Sequence, residues 1–107
     1  MKESYLFEED LAQRIEVPED GTLSVTICDS ESCKAVLFGF ATGQELSEHT
    51  ASVPATLQMI SGNALWSLGS RQVEAKPGAW AYLQAGLPHA VAAQEPSVML
   101  LILHRNK

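Results

Sequence analysis

The sequence is short of basic residues, of cysteine and of long apolar runs, and each shortage closes off a class of function. Seven lysines and arginines stand against thirteen acids, a formal charge of −6 over 107 residues. That balance repels a phosphate backbone and no local basic cluster reverses it, so no nucleic-acid partner is expected. No apolar run approaches the roughly 20 residues that a bilayer span requires, so no membrane role is expected either. The opening MKESYLFEED turns acidic at once, unlike the apolar core of a secretion signal, which leaves the cytoplasm as the expected compartment. Cysteine is limited to Cys28 and Cys33, which bracket the polar DSES segment without forming a C-x-x-C pair. A hairpin closed by those four residues would set the two cysteines face to face at a bridgeable distance, although cytosolic thiols usually stay reduced. No Ser-His-Asp grouping, phosphate-cradling glycine loop or pair of catalytic carboxylates is present.

What is present is one domain of ordinary size, residues 1–107, with a 46% hydrophobic fraction that is enough for a core. Residues 1–21 form a lead-in. Leu11 and Ile15 lie four apart, predicting a short helical turn within 10–16 that ends before Pro18 and the EDG turn. From residue 22 the pattern changes. Residues 22–28 (TLSVTIC) alternate apolar and polar, the period of a half-buried strand, and 35–41 (AVLFGFA) read as a strand covered on both faces. Further strands are predicted at 55–61, 64–68, 72–75, 80–83, 89–93 and 98–103, separated by Gly, Pro and Asn turns. About eight or nine short strands without a long helix predict an all-β, antiparallel sandwich or barrel over 22–104.

Two glycine-bounded stretches within that pattern carry a family signature. Gly43 is followed by five residues and then His49, and Gly62 closes the stretch. Pro77-Gly78 opens a second stretch in which Gly86 and His89 keep their spacing. Together these resemble the paired motifs of the cupin superfamily over residues 43–93, and the chain is similar to its small, single-domain, conserved-barrel members. The resemblance implies a double-stranded β-helix, or jelly-roll barrel, whose motif side chains point into a central pocket. It also implies a divalent metal (Fe, Mn, Ni or Zn) in many members, and dimers that pack outward sheet faces.

The same alignment shows what is missing. The second histidine of the first motif falls on Ala51 and its glutamate on Ala55 or Thr56, while the second motif has Gln84 for proline and Ala93 for asparagine. Of four metal-binding positions, only His49 and His89 keep a ligand side chain. Divalent metals usually take three protein ligands or more. Gln58 lies in the right strand, but alternation from residue 55 turns it outward. Glu48 faces away from His49, and His104 ends the last strand as a solvated terminus.

The expected site is therefore a barrel pocket in which His49 and His89 line an otherwise apolar cavity with Leu57, Met59, Trp66 and Tyr82. Met99 belongs to the same candidates, and Trp66 and Trp80 are read either as interior or as outward, interface-forming residues. The primary expectation is a cytoplasmic, homodimeric barrel that binds a small organic molecule, its metal site reduced. The alternative is a metal-dependent dioxygenase or isomerase that uses His49, His89 and a further ligand.

Overall fold

The computed structural model describes residues 4–105. It is almost entirely antiparallel strand. The elements run β1 (Thr22–Asp29), β2 (Cys33–Phe40), β3 (Glu45–His49), β4 (Ala55–Ser61), β5 (Ala64–Leu68), β6 (Arg71–Ala75), β7 (Trp80–Leu83), β8 (His89–Ala93) and β9 (Ser97–His104). They form a five-stranded sheet of order β1-β2-β9-β4-β7 and a four-stranded sheet of order β3-β8-β5-β6. The two sheets close over a shared interior to give the jelly-roll arrangement.

β3 was not expected as a strand. Its sequence, ELSEH, has one apolar residue, Leu46, and its other side chains are exposed on an edge strand. The short helical turn expected within 10–16 is a single 3-10 turn at Leu11–Arg14. The Asp10 side chain caps it by accepting from the Ala12 amide at 3.2 Å. Ile15 is already extended there, and Pro18 holds the residue before it away from helical geometry.

Most of the apolar surface is buried between the sheets, where Leu57, Met59, Met99 and Phe40 are among the fully buried side chains. A second cluster lies on the outside of the large sheet. There Leu37, Val98 and Leu100 are covered by Leu11, Ile15 and Val17 of the lead-in. Strands β2 and β9 therefore have both faces out of water, which accounts for their nearly unbroken apolar sequences. Covering each such residue contributes on the order of 1–3 kcal/mol. The lead-in can lie this close because β2 has a glycine beneath it: a Cβ at Gly39 would stand 3.3 Å from Ile15 Cδ1.

The two cysteines do not face each other. A register shift between Thr26 and Cys28 sets Cys28 opposite Ala35, while Cys33 pairs across with His104 of β9. The bulge adds a residue to β1, so the symmetric four-residue hairpin read from the sequence does not form. Both are free thiols. Arg105 fixes the chain end nearby, donating from Nη1 to Asp29 Oδ1 and to the Ser30 carbonyl, each at 2.6 Å. That guanidinium holds the Asp29 carboxyl below its usual range, mainly through the hydrogen bond and then through its charge. Among the described residues, no helix is long and apolar enough to cross a membrane.

Candidate functional site

β3 and β8 bring two distant histidines together. Leu46 pairs with Val91 and His49 with His89, so three steps along β3 match two along β8. The extra residue is a β-bulge. Without it, Leu46 and His49 would lie on opposite faces, because they are an odd number of residues apart. With it, both share the inward face of Val91 and His89. The imidazole centroids are 4.3 Å apart and the rings are tilted by 58°. His49 is exposed, and His89, on an interior strand, is 4% exposed.

Each ring is fixed by the same local contact. His49 Nδ1 lies 2.8 Å from the Ser47 carbonyl and His89 Nδ1 2.9 Å from the Leu87 carbonyl, each two residues back along the chain. A carbonyl only accepts, so Nδ1 is the donor in both. In the neutral rings, Nε2 then keeps its lone pair. The pair therefore offers two acceptor nitrogens at one end of the barrel.

Beyond this pair the interior is built mainly from apolar residues, and the fully buried Ser97 donates to the backbone carbonyls of Asn63 and Glu95. Leu46 and Val91 form the next inward pair, and Trp66 of β5 lies beside Val91. Leu57 and Met59 of β4 are fully buried in the same interior, as is Met99 of β9. Trp66 is 2% exposed, and its Nε1–H has no hydrogen-bond partner among the described residues. Leaving such a donor unpaired costs about 1–3 kcal/mol.

Tyr82 does not join these residues. It pairs with Thr56 and is 53% exposed on the outer face, beside Trp80 at 61%. The inward positions of β7 belong to Ala81 and Leu83, which pair with Leu57 and Ala55. That parity is visible in WAYL once the inner face of β4 is fixed. Trp80 is thus outward and Trp66 inward. His104 is also placed differently from the sequence expectation: it is half-buried, with Nε2 2.7 Å from Thr56 Oγ1 and its ring 5.9 Å from that of Tyr82. Thr56, missed by the sequence reading, is the buried polar residue on that outer face.

A divalent metal would have His49 and His89 as its protein ligands here. Ala51 and Ala55 offer no donor atom, and Gln58 pairs with Trp80 on the outward side. Among the described residues, no group of three or more His, Cys, Asp or Glu is placed to hold a metal. The donor set is smaller than the three protein ligands usual for such an ion, so it does not fit a full metal centre.

No protein-family model matches the sequence, and a comparison with curated proteins finds no match. Solved structures do match. A cupin superfamily protein from Desulfitobacterium hafniense has a TM-score of 0.87 and 26% identity, over 94% of this chain and 95% of that one. A conserved protein of unknown function from Streptococcus pyogenes gives 0.85 and 25%, over 100% and 92%. A cupin 2 conserved barrel domain protein from Leptotrichia buccalis gives 0.82 and 28%, over 88% of this chain and 46% of that one.

Proposed function

Starting from a small cupin-type domain with cupin superfamily proteins as its structural neighbours, we propose that the chain binds a small organic molecule inside the barrel. The observation that carries this is the histidine pair. Two imidazoles stand 4.3 Å apart at one end of an apolar interior, each with Nδ1 committed to a carbonyl. A ligand that presents O–H or N–H groups to the two Nε2 atoms and buries its hydrocarbon part would satisfy both features. Histidines so placed also suit a general base, which is how such a pocket would become an active site.

The second reading is a metal-dependent enzyme, an oxygenase or an isomerase. It is favoured by the same carbonyl contacts, because metal-bound histidines commonly anchor their other ring nitrogen in this way. The two-imidazole donor set weighs against it. Elemental analysis of purified protein, with calorimetry of wild type, His49→Ala and His89→Ala against small alcohols and hydroxyketones, separates the two. Ligand uptake by metal-free protein, lost in both variants, supports the binding reading. Stoichiometric metal lost in both variants overturns it.

We also propose that the chain pairs with a second copy through the outer face of the large sheet. Trp80 and Tyr82 stand side by side and exposed there, and aromatic residues are enriched at such interfaces.

A further inference from the structure

We propose that Trp66 is the ligand's hydrogen-bond donor and that it selects a neutral carbonyl compound carrying a hydroxyl or N–H group. The inference rests on the small-molecule reading of the barrel and adds the chemistry of what is bound. Trp66 is 2% exposed and its indole N–H is unpartnered among the described residues. Buried tryptophan usually places that N–H on an acceptor. Its immediate cross-strand neighbours are Val73 and Val91, it packs in the apolar cluster with Leu57, Met59 and Met99, and the other buried unpaired atom, Asn63 Oδ1, belongs to the connection before β5. On this proposal the acceptor comes from the bound molecule.

The strand registers fix where that acceptor lies relative to the histidines. Leu68 of β5 is opposite His89, and Trp66 is opposite Val91. Trp66 is thus the next inward-facing residue of β5 beyond the His49–His89 level. By register, the two histidines lie at one level and Trp66 one inward step further along the strands. A matching molecule carries an acceptor on its buried end and a donor on its outer end. The buried acceptor is neutral, because a carboxylate there would meet one N–H and no cation, and burying a charge so poorly compensated is unfavourable. A ketone, ester, lactone or amide oxygen meets the requirement.

The test uses heteronuclear NMR of the two indole N–H groups in the full chain, where the exposed Trp80 is an internal reference. A hydroxycyclohexanone is the probe, with cyclohexanol as the analogue that lacks the carbonyl. Binding of the ketone is expected to move the Trp66 N–H signal downfield and leave Trp80 in place. Trp66→Phe keeps an aromatic ring but removes the donor. It is expected to weaken the ketone about fivefold to tenfold, as the loss of one hydrogen bond would, and to leave cyclohexanol unchanged. Should the ketone shift the histidine signals while Trp66 stays still and Trp66→Phe binds equally well, the inference falls and the binding reading stands. A persistent cross-peak from Trp66 N–H to trapped water, with and without ketone, overturns it too. Absence of any histidine shift with either probe defeats the binding reading and this inference with it.

Discussion

His49 faces His89 because β3 carries one residue more than β8 between the Leu46–Val91 pair and the histidine pair. The site is therefore a product of the bulge as much as of the two histidines.

Deleting Ser47 removes that extra residue and restores a regular ladder. Leu46 and His49 are then two residues apart, so both stay on the inward face, opposite Val91 and His89, with no bulge needed. A double variant His49→Cys, His89→Cys reports the geometry directly. With Cys28 and Cys33 changed to serine, it is expected to form a disulfide on mild oxidation, with or without Ser47, whereas the variant lacking both Ser47 and Glu48, which leaves position 49 adjacent to Leu46 and on the opposite face, is expected not to.

Gly62 and Gly43 both have positive φ, 86° and 85°, yet their surroundings differ. A Cβ at Gly62 would come within 2.3 Å of the Pro96 carbonyl oxygen and of Ser97 Oγ, whereas nothing lies within 4 Å at Gly43. Gly43→Ala is expected to cost about 1 kcal/mol from backbone strain alone. Gly62→Ala adds a steric clash with backbone and is expected to cost roughly 3 kcal/mol or more. Urea midpoints of the two variants give the comparison, and equal losses would contradict it.

The pair of Asp29 and Arg105 gives stability a pH dependence of known sign. The folded Asp29 carboxyl lies below its ordinary value of 3.8, so the unfolded chain takes up that proton more readily. The contribution is complete above the unfolded value and disappears as pH falls through the folded one. Asp29→Asn is therefore expected to be less stable than wild type at about pH 7, with the difference closing in acid, as pH falls below the ordinary carboxylate range. Denaturant midpoints at neutral and acid pH check this, and a difference that stays constant would refute it.

Cys28 and Cys33 occupy different rungs of the β1–β2–β9 ladder, opposite Ala35 and His104. Both are expected to react with a thiol reagent without prior reduction, and thermal stability is expected to be the same with and without reductant. A stability loss on reduction would reveal a bridge that this register does not provide.

If a second copy covers the outer face, Trp80→Ser combined with Tyr82→Ser shifts the chain to monomer in sedimentation, while Leu23→Ser on the edge strand β1 does not. Unchanged mass in the double variant would place the interface elsewhere.

Much of the barrel is legible in the sequence because its strands bury at least one face. The unbroken apolar run in β9 follows directly from what covers it, while the alternation in TLSVTIC marks β1 as a strand although Leu23 is exposed. β3 was illegible for the opposite reason, since a lone Leu46 leaves no period to detect. The site divides in the same way. His49 and His89 were located by motif spacing, but the bulge that turns them inward has no signature in ELSEH. Tyr82 was misplaced because its strand parity depends on β4, and the parity of a four-residue strand is not apparent from its own composition. Trp66 was found as a ring, while the unpaired N–H that gives it chemical meaning depends on the neighbours that surround it.

The bulged strand also has consequences for motion. β3 is held on one side alone, by β8, whereas β8 is paired on both sides. Backbone amides are released to solvent first where packing and pairing are sparse. His89 thus belongs to the slow-exchanging body of the barrel and His49 to a strand that frays on its own. Amide hydrogen exchange would then be fast around His49 in the free protein and slow once a ligand spans the two rings, with the rest of the barrel nearly silent.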